Sequence, residues 1–397
     1  MHTDFDRFAF ARPCLTKTAA VRRRSAGIWL GLAAAVILAT PARAKFEEAL
    51  AALPPYKAER AVDGRIRVPG FDAKLQKLWA KGFLKFQPNV TFDDKKNFPR
   101  AGFETGDADI GIRGREIWPI EIGRFMQAQG GEIIQIVACS AAFDKTDFSP
   151  APVIFVNKDN PITGLTMKQL DGIYGEQANG GWAGNRWSEA LARSAKDNIR
   201  TWGQLGLTGE WADKLIRPYG YDLVFSGTRG GFQRMVLKGR DKWNPNLIEI
   251  VGVEPTYANM FPEGVATNLR SGQKVLAALS TDKYGIGYSA FEYSQGDPTG
   301  NVKHVGEFRD VKVVPVAAAE GGPYVEASEK TCQNRTYPLI RDIWILIARP
   351  QHKPIDSNLR EFVRYILSRE GQAAVVEDGS YLPLTPELVQ AGLKQLE

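Results

Sequence analysis

The sequence predicts an α/β protein with more than one domain, its sheets mostly parallel and flanked by helices. Three observations carry this. The chain has 397 residues, more than one hydrophobic core normally serves. Short β-branched apolar runs alternate with segments whose apolar residues recur every three or four positions. Several of those runs lead through a glycine-bearing turn directly into a helical pattern, the signature of strand–turn–helix units. With 44% apolar and 24% charged residues, the composition is that of an ordinary globular protein.

In chain order, RIRVPG (Arg65 to Gly70) predicts a strand. In the following FDAKLQKLWAKGFLKF, Phe71, Leu75, Leu78, Trp79 and Phe83 share one helical face, and Gly82 marks a candidate stop. DADIGIRGRE (Asp107 to Glu116) reads as a short strand entering a turn. WPIEIGRFMQAQG then places Pro119 at a helix start and Gly130 at its end. EIIQIVAC and PVIFVN predict buried strands, and LTMKQLDGIYG a short helix closed by Gly175. Residues 176–205 read as a polar surface excursion with a helix in SEALARSAKDNI. RPYGYDLVF leads into FSGTRGGFQRMVLKG (Phe225 to Gly239), whose Phe232, Met235 and Val236 form an apolar stripe. LIEIVGV, YGIGYSAFEY, VKVVPV and IWILIA predict strands, and SGQKVLAALST a helix. In the last predicted helix, SNLREFVRYILSREGQ, Leu359, Phe362, Val363, Ile366 and Leu367 fit one face.

The N-terminus is made differently. Arg22, Arg23 and Arg24 precede an apolar run, Ala26 to Thr40, followed by Ala42-Arg43-Ala44. A basic region, a short apolar core and an A-x-A site predict a secretory signal cleaved after Ala44, hence a periplasmic protein; an uncleaved anchor is the alternative. Seven of the 51 basic and two of the 45 acidic residues lie in 1–44, which leaves 44 and 43, a formal charge of +1. A basic nucleic-acid footprint is therefore absent from the remainder. Beyond Ala44 the cysteines are Cys139 and Cys332. In an oxidising compartment they are candidates for a disulfide, the alternative being two separate buried thiols.

Three strand-to-helix turns are candidate sites: Gly70-Phe71-Asp72, Gly114-Arg115-Glu116 and Ser226-Gly227-Thr228-Arg229. A helix start leaves about four N–H groups without partners and carries about half a positive charge, so an oxyanion is at home there. Glycine admits close approach, Ser226 and Thr228 offer hydroxyls, and Arg229 offers a planar fork. The competing reading of SGTRGG is an ordinary helix start with Ser226 or Thr228 as N-cap.

From residue 62 to the end the chain resembles the phosphate-type solute-binding proteins of ABC importers. The resemblance rests on APVIFVNKDNPITGLTMKQLDGIYG, GDADIGIRGRE, SGTRGGF, YGIGYSAFEY, and LSREGQ followed by YLPL, in family order. It implies the two-lobed periplasmic-binding-protein-like fold of type II: each lobe a mixed, mostly parallel sheet flanked by helices, with a hinge of two crossing strands. Carried over, one lobe holds 45–150 and 295–397 and the other 151–294, with Asn157 and Ser289 near the crossings. The implied ligand contacts are Gly70, Phe71, Asp72, Gly114, Arg115, Ser226, Gly227, Thr228 and Arg229. The implied partners are a small oxyanion, phosphate first, and an ABC permease; the protein is expected to be a monomer without cofactor or metal. The sequence departs from the family pattern at Phe71 and Gly114, at Asp222, where many phosphate binders have an arginine, and at Val224.

Catalysis finds few candidate groups. After Ala44 the chain has two histidines, His304 and His352, and no H-E-x-x-H, C-x-x-C or G-x-S-x-G. The expectation is an exported binder and not an enzyme. The alternative is a periplasmic sensor or adaptor of the same fold with altered or lost ligand binding.

Overall fold

A computed structural model describes residues 46–68, 73–93, 102–141, 143, 150–222, 226–250, 271–295 and 308–397. All of them belong to one compact unit, Thr40–Glu397. The expected signal segment and the Gly70-Phe71-Asp72 turn lie outside the described residues.

The first elements are α1 (Glu47–Ala51), β1 (Gly64–Arg67), α2 (Ala73–Phe83), β2 (Val90–Asp93), α3 (Gly102–Thr105), β3 (Ile110–Arg113), α4 (Pro119–Gln129) and β4 (Glu132–Ser140). Next come β5 (Val153–Asn157), β6 (Leu165–Thr166), α5 (Met167–Tyr174), β7 (Gly181–Ala183), β8 (Arg186–Ser188), β9 (Arg217–Tyr221), α6 (Gly227–Met235) and β10 (Ile248–Ile250). The chain continues through α7 (Ser271–Thr281), β11 (Gly285–Ser289), α8 (Phe291–Ser294), β12 (Val311–Val313), β13 (Val316–Ala317), α9 (Glu329–Gln333) and β14 (Asp342–Arg349). It closes with α10 (Ser357–Ile366), α11 (Arg369–Asp378) and α12 (Pro386–Lys394).

The α/β class holds, and the sheets are mixed. One sheet has the order β10-β9-β11-β5-β12, with β10, β9 and β11 parallel and β5 antiparallel to both neighbours. A second has β14 between β3 and β4, antiparallel to each. Along β14, Ile343, Ile345 and Ile347 enter one core, while Leu346 packs on the other face with Phe103, Ile117 and Phe125. That alternation is the period of two expected of a strand covered on both sides.

Two large apolar clusters result. One gathers residues between Leu50 and Cys139 with others between Ile343 and Leu396. Its helix face Leu359, Phe362, Val363, Ile366 and Leu367 is buried as the spacing predicts. The second runs from Phe143 to Leu339 and adds Leu382. Each fully buried side chain of this size contributes about 1.5–3 kcal/mol. Residues 308–339, grouped with the first lobe in the sequence reading, pack in the second cluster, because β12 pairs with β5.

The chain passes between clusters at two adjacent places. Asp342 pairs with Ser140, and Ala141 N–H donates to the Arg341 carbonyl at 2.8 Å. Asn157 and Ser289, expected at the crossings, lie instead within the five-stranded sheet. Asn157 donates to the Leu279 and Ser280 carbonyls, at the end of α7, and Ser289 Oγ donates to the Gly272 carbonyl at its start.

Three further expectations are corrected. SEALARSAKDNI forms two short 3₁₀ turns, Glu189–Leu191 and Ala195–Asp197, not an α-helix. Arg193 exchanges backbone hydrogen bonds with Ala178 at 2.8 and 3.0 Å, which holds the chain extended between the turns. The predicted final helix breaks after Leu367, because Ser368 Oγ accepts from Gly371 N–H and starts α11. Gly82 does not stop α2: a Cβ there would meet the Tyr365 hydroxyl at 1.8 Å, so this glycine admits a neighbouring ring.

Cys139 and Cys332 form no disulfide. Each is fully buried, Cys139 in the first cluster and Cys332 in the second. Burial pushes the Cys332 thiol up to about 12, so it stays protonated.

Candidate anion site at the start of α6

The helix α6 is positioned from behind. Phe232, fully buried, stacks face to face on Tyr288 with centroids 3.8 Å apart and planes within 2°, and meets Tyr174 edge-on at 5.0 Å. Val236, one turn on, is buried beside it. Tyr288 is thus packing, as its place in the sequence suggests.

At the front, Ser226 is the N-cap, and its Oγ accepts from Arg229 N–H at 3.2 Å. The capping reading of SGTRGG is therefore correct. It does not exclude binding, because a hydroxyl that accepts still has its own O–H to donate. Gly227 is exposed and Thr228 half-buried at the helix mouth.

A residue absent from the sequence-level site comes to this mouth. Arg341 is 8% exposed and lies between the clusters, one residue ahead of β14. Its Nε donates to the Gly114 carbonyl at 2.6 Å and its Nη1 to Thr228 Oγ1 at 3.3 Å. Its stem runs along the glycines of α6. A Cβ on Gly227 would lie 3.4 Å from Arg341 Nη2, and one on Gly231 would lie 3.5 Å from Nε and 3.6 Å from Cδ. Gly230 faces the Arg115 Cδ at 3.7 Å and Trp118 Cζ2 at 3.8 Å in the same sense. The glycines of GTRGG thus leave the first turn bare, and two arginine side chains lie against it.

The structure therefore joins two of the three predicted turns. Gly114 and Arg115 adjoin Ser226 to Arg229, with Arg341 bridging Gly114 to Thr228. Gly114 takes part through its carbonyl. Arg115 is held in a bidentate pair with Glu121, both bonds 2.8 Å, and also donates to the Glu116 carbonyl. Glu121 accepts in addition from Trp118 N–H at 2.7 Å. Burial raises the Glu121 carboxyl, but these bonds outweigh it and hold it below the usual range. Arg113 is paired with Glu104, and Asp109 with Arg67, where it ties β1 to the start of β3.

Arg229 and Arg341 differ from Arg115. Among the described residues neither has a carboxylate oxygen within 4 Å. Arg229 Nη1 donates to Gln233 Oε1, and its Nε is buried without a partner. Burial, foremost, lowers the pKa of both guanidiniums; at Arg229 the Asp222 and Glu249 carboxylates offset part of it, and at Arg341 the nearby Arg115 charge adds to it and brings the value to about 10. Burying a charge without a close counter-charge is costly; Arg341 is such a charge at the positive end of a helix dipole, and half-buried Arg229 has its carboxylates, Asp222 and Glu249, only beyond ion-pair distance. A cavity of about 460 Å³ opens on the other side of Glu116, between Gln135, Asn185, Trp344 and Arg349, and none of residues 226–231 lines it.

The sequence held one hint of Arg341: an arginine directly before the buried run DIWILIA. Its nearness to Thr228, 113 residues away, is a fact of tertiary structure.

A family model described as "PBP superfamily domain" matches residues 100–370. The chain is 32% identical over 351 residues to the phosphate-binding protein PstS of Pseudomonas aeruginosa, covering 87% of this chain and 91% of that protein. The phosphate-binding protein PstS of Staphylococcus epidermidis is 25% identical over 245 residues, 62% of this chain and 57% of its own length. Among solved structures, an ABC-type phosphate transport receptor from Vibrio cholerae aligns over 80% of this chain and all of its own, at 19% identity and a TM-score of 0.43. The family match over residues 100–370 and the identity across nine-tenths of a curated relative show that this chain belongs to the PBP superfamily, in the family of the Pseudomonas aeruginosa protein.

Proposed function

We propose that this chain is an exported solute-binding protein that captures a small oxyanion, phosphate first, and delivers it to an ABC importer. The observation that carries the reading is the pair Arg229 and Arg341, two guanidiniums that among the described residues have no carboxylate oxygen within 4 Å, on the glycine-bare start of α6. A bound oxyanion supplies the missing negative charge, accepts from helix N–H groups and hydroxyls, and removes the cost of burying the two cations. The relatives named phosphate-binding proteins set the order in which ligands are tested.

The two apolar clusters act as two lobes, with the crossings near Ala141 and Arg341. The further ligand contacts inferred from the resemblance, Gly70, Phe71 and Asp72, lie outside the described residues. The signal in residues 1–44 sends the protein to the periplasm, where it works as a monomer. The protein binds and does not catalyse. The groups at the site are donors and fixed charges, and no histidine stands among the described residues that touch it.

Calorimetry on the exported protein with phosphate, sulfate, molybdate and tungstate tests this. Saturable heat with at least one of them, matched by a rise in melting temperature, supports the proposal. No heat and no thermal shift with any of the four overturns it and favours a sensor or adaptor of the same fold.

A further inference from the structure

Arg341 belongs to no sequence motif, yet its surroundings set it apart. It is more than nine-tenths buried and has no carboxylate within 4 Å among the described residues. Its neighbours add positive charge: Arg115 and the exposed start of α6. Elsewhere in this protein buried arginines have anionic partners. Arg113 has Glu104, Arg193 and Arg240 share Asp171, and Arg335 takes Asp342 in two bonds. Among the described residues Arg341 has only a carbonyl and a hydroxyl oxygen, Gly114 O and Thr228 Oγ1, which satisfy two of its donors and none of its charge. Gly227 keeps the way to Nη2 clear, since any Cβ there would stand 3.4 Å from that nitrogen.

Resting on the oxyanion reading above, we propose that Arg341 is a direct contact of the bound anion at the first turn of α6 and its main charged partner from the crossing segments. A tetrahedral oxyanion offers its fork two acceptor oxygens. The position has a second consequence. Residue 341 lies between Leu339 of one cluster and Ile343 of the other, and its carbonyl accepts from Ala141 on the neighbouring crossing strand. An anion held by Arg341 and α6 together therefore links helix and crossing, so occupancy and the setting of the two clusters are coupled.

The test uses Arg341→Gln and Arg341→Lys in the full chain, with inorganic phosphate and sulfate as probes. Arg341→Gln is expected to lose phosphate affinity about 100-fold or more, the loss of two charge-assisted hydrogen bonds. Arg341→Lys keeps the charge without the fork and is expected to fall in between. Without ligand, the melting temperature of Arg341→Gln should equal or exceed that of the unaltered protein, because an uncompensated charge has been removed. A purely structural arginine predicts the reverse: a lower melting temperature and an unchanged ligand-induced shift. Phosphate affinity of Arg341→Gln within tenfold of the unaltered protein, in a chain that melts cooperatively, overturns this proposal alone. If the unaltered protein binds neither phosphate nor sulfate, the oxyanion reading falls with it.

Discussion

Glu121 neutralises Arg115 beside the site, and Glu121→Gln should change stability and anion affinity in opposite directions. The side chains of this pair are more than three-quarters buried, at 22% and 17% exposure. The carboxylate takes two Arg115 N–H groups at 2.8 Å and Trp118 N–H at 2.7 Å. Glutamine keeps one acceptor oxygen and turns an amide donor toward guanidinium donors. At about 1.5–3 kcal/mol for each lost charged hydrogen bond, less what rearrangement recovers, the variant should be less stable by about 2–4 kcal/mol. Arg115 then joins Arg341 as a second cation against the first turn of α6 with no carboxylate oxygen in ion-pair reach among the described residues. A further unit of positive charge in a partly screened setting should tighten oxyanion binding by about 1 kcal/mol, roughly fivefold, and more at low ionic strength.

Urea denaturation reads the first effect and calorimetry with phosphate the second. The folded carboxyl is held low, so its stabilisation is present above the unfolded value near about 4.3 and is lost as pH falls through the folded value. The stability gap between the two proteins should therefore close below about pH 4. A variant that loses stability while its anion affinity stays the same or weakens would refute the reasoning, since Arg115 would then lie outside the field of the ligand.

Arg229→Ala should weaken phosphate binding about 100-fold or more in calorimetry, yet leave the ligand-free melting temperature within about 2 °C, because that guanidinium makes no close ion pair and its longer-range attraction to Asp222 and Glu249 is offset by the burial it suffers. Phe232→Ala removes the ring stacked on Tyr288 and should cost about 3–5 kcal/mol in denaturant unfolding; a cost under about 1.5 kcal/mol would mean α6 is anchored elsewhere. Neither Cys139 nor Cys332 should react with a thiol reagent in the native protein, and both should react once it is unfolded. Rapid native labelling of either would contradict the buried thiols.

What the sequence disclosed was local. The apolar spacing of SNLREFVRYI, the Pro119 start and Gly130 end of α4, and the Ser226 cap each depend on residues within a turn or two. Pattern also fails locally where two outcomes share it. LSREGQ continues the helical period, but the Ser368 hydroxyl captures Gly371 N–H and starts a new helix. SEALARSAKDNI has good helix formers, but the backbone of Arg193 is claimed by Ala178, a partner that no window of residues around it contains. The crossings were misplaced for a related reason. Asn157 and Ser289 flank candidate strands, as hinge residues would, whereas the return to the first cluster depends on β12 pairing with β5 across more than 150 residues.

The site shows the same division at higher stakes. Its glycines look permissive when read alone, as places where backbone can approach a ligand. In the fold Gly230 and Gly231 lie beside the stems of Arg115 and Arg341, where an added Cβ would stand 3.5–3.8 Å from side-chain atoms, so the same surface that could approach an anion borders the arginines. On the proposed reading the motif and the distant guanidinium act together: Arg341 lies along the glycines at 227 and 231, in van der Waals range of any Cβ there, on its way to Thr228. The aspartate at 222 is intelligible in the same terms. The resemblance leads one to expect an arginine there, just ahead of α6, and the chain instead brings a guanidinium to the same helix start from the crossing strand. Charge at an anion site is fixed by where the cation arrives and not by which segment carries it. On the proposed reading, the departure at Asp222 is answered within the fold, because Arg341 brings a guanidinium to Thr228 from a segment 113 residues away.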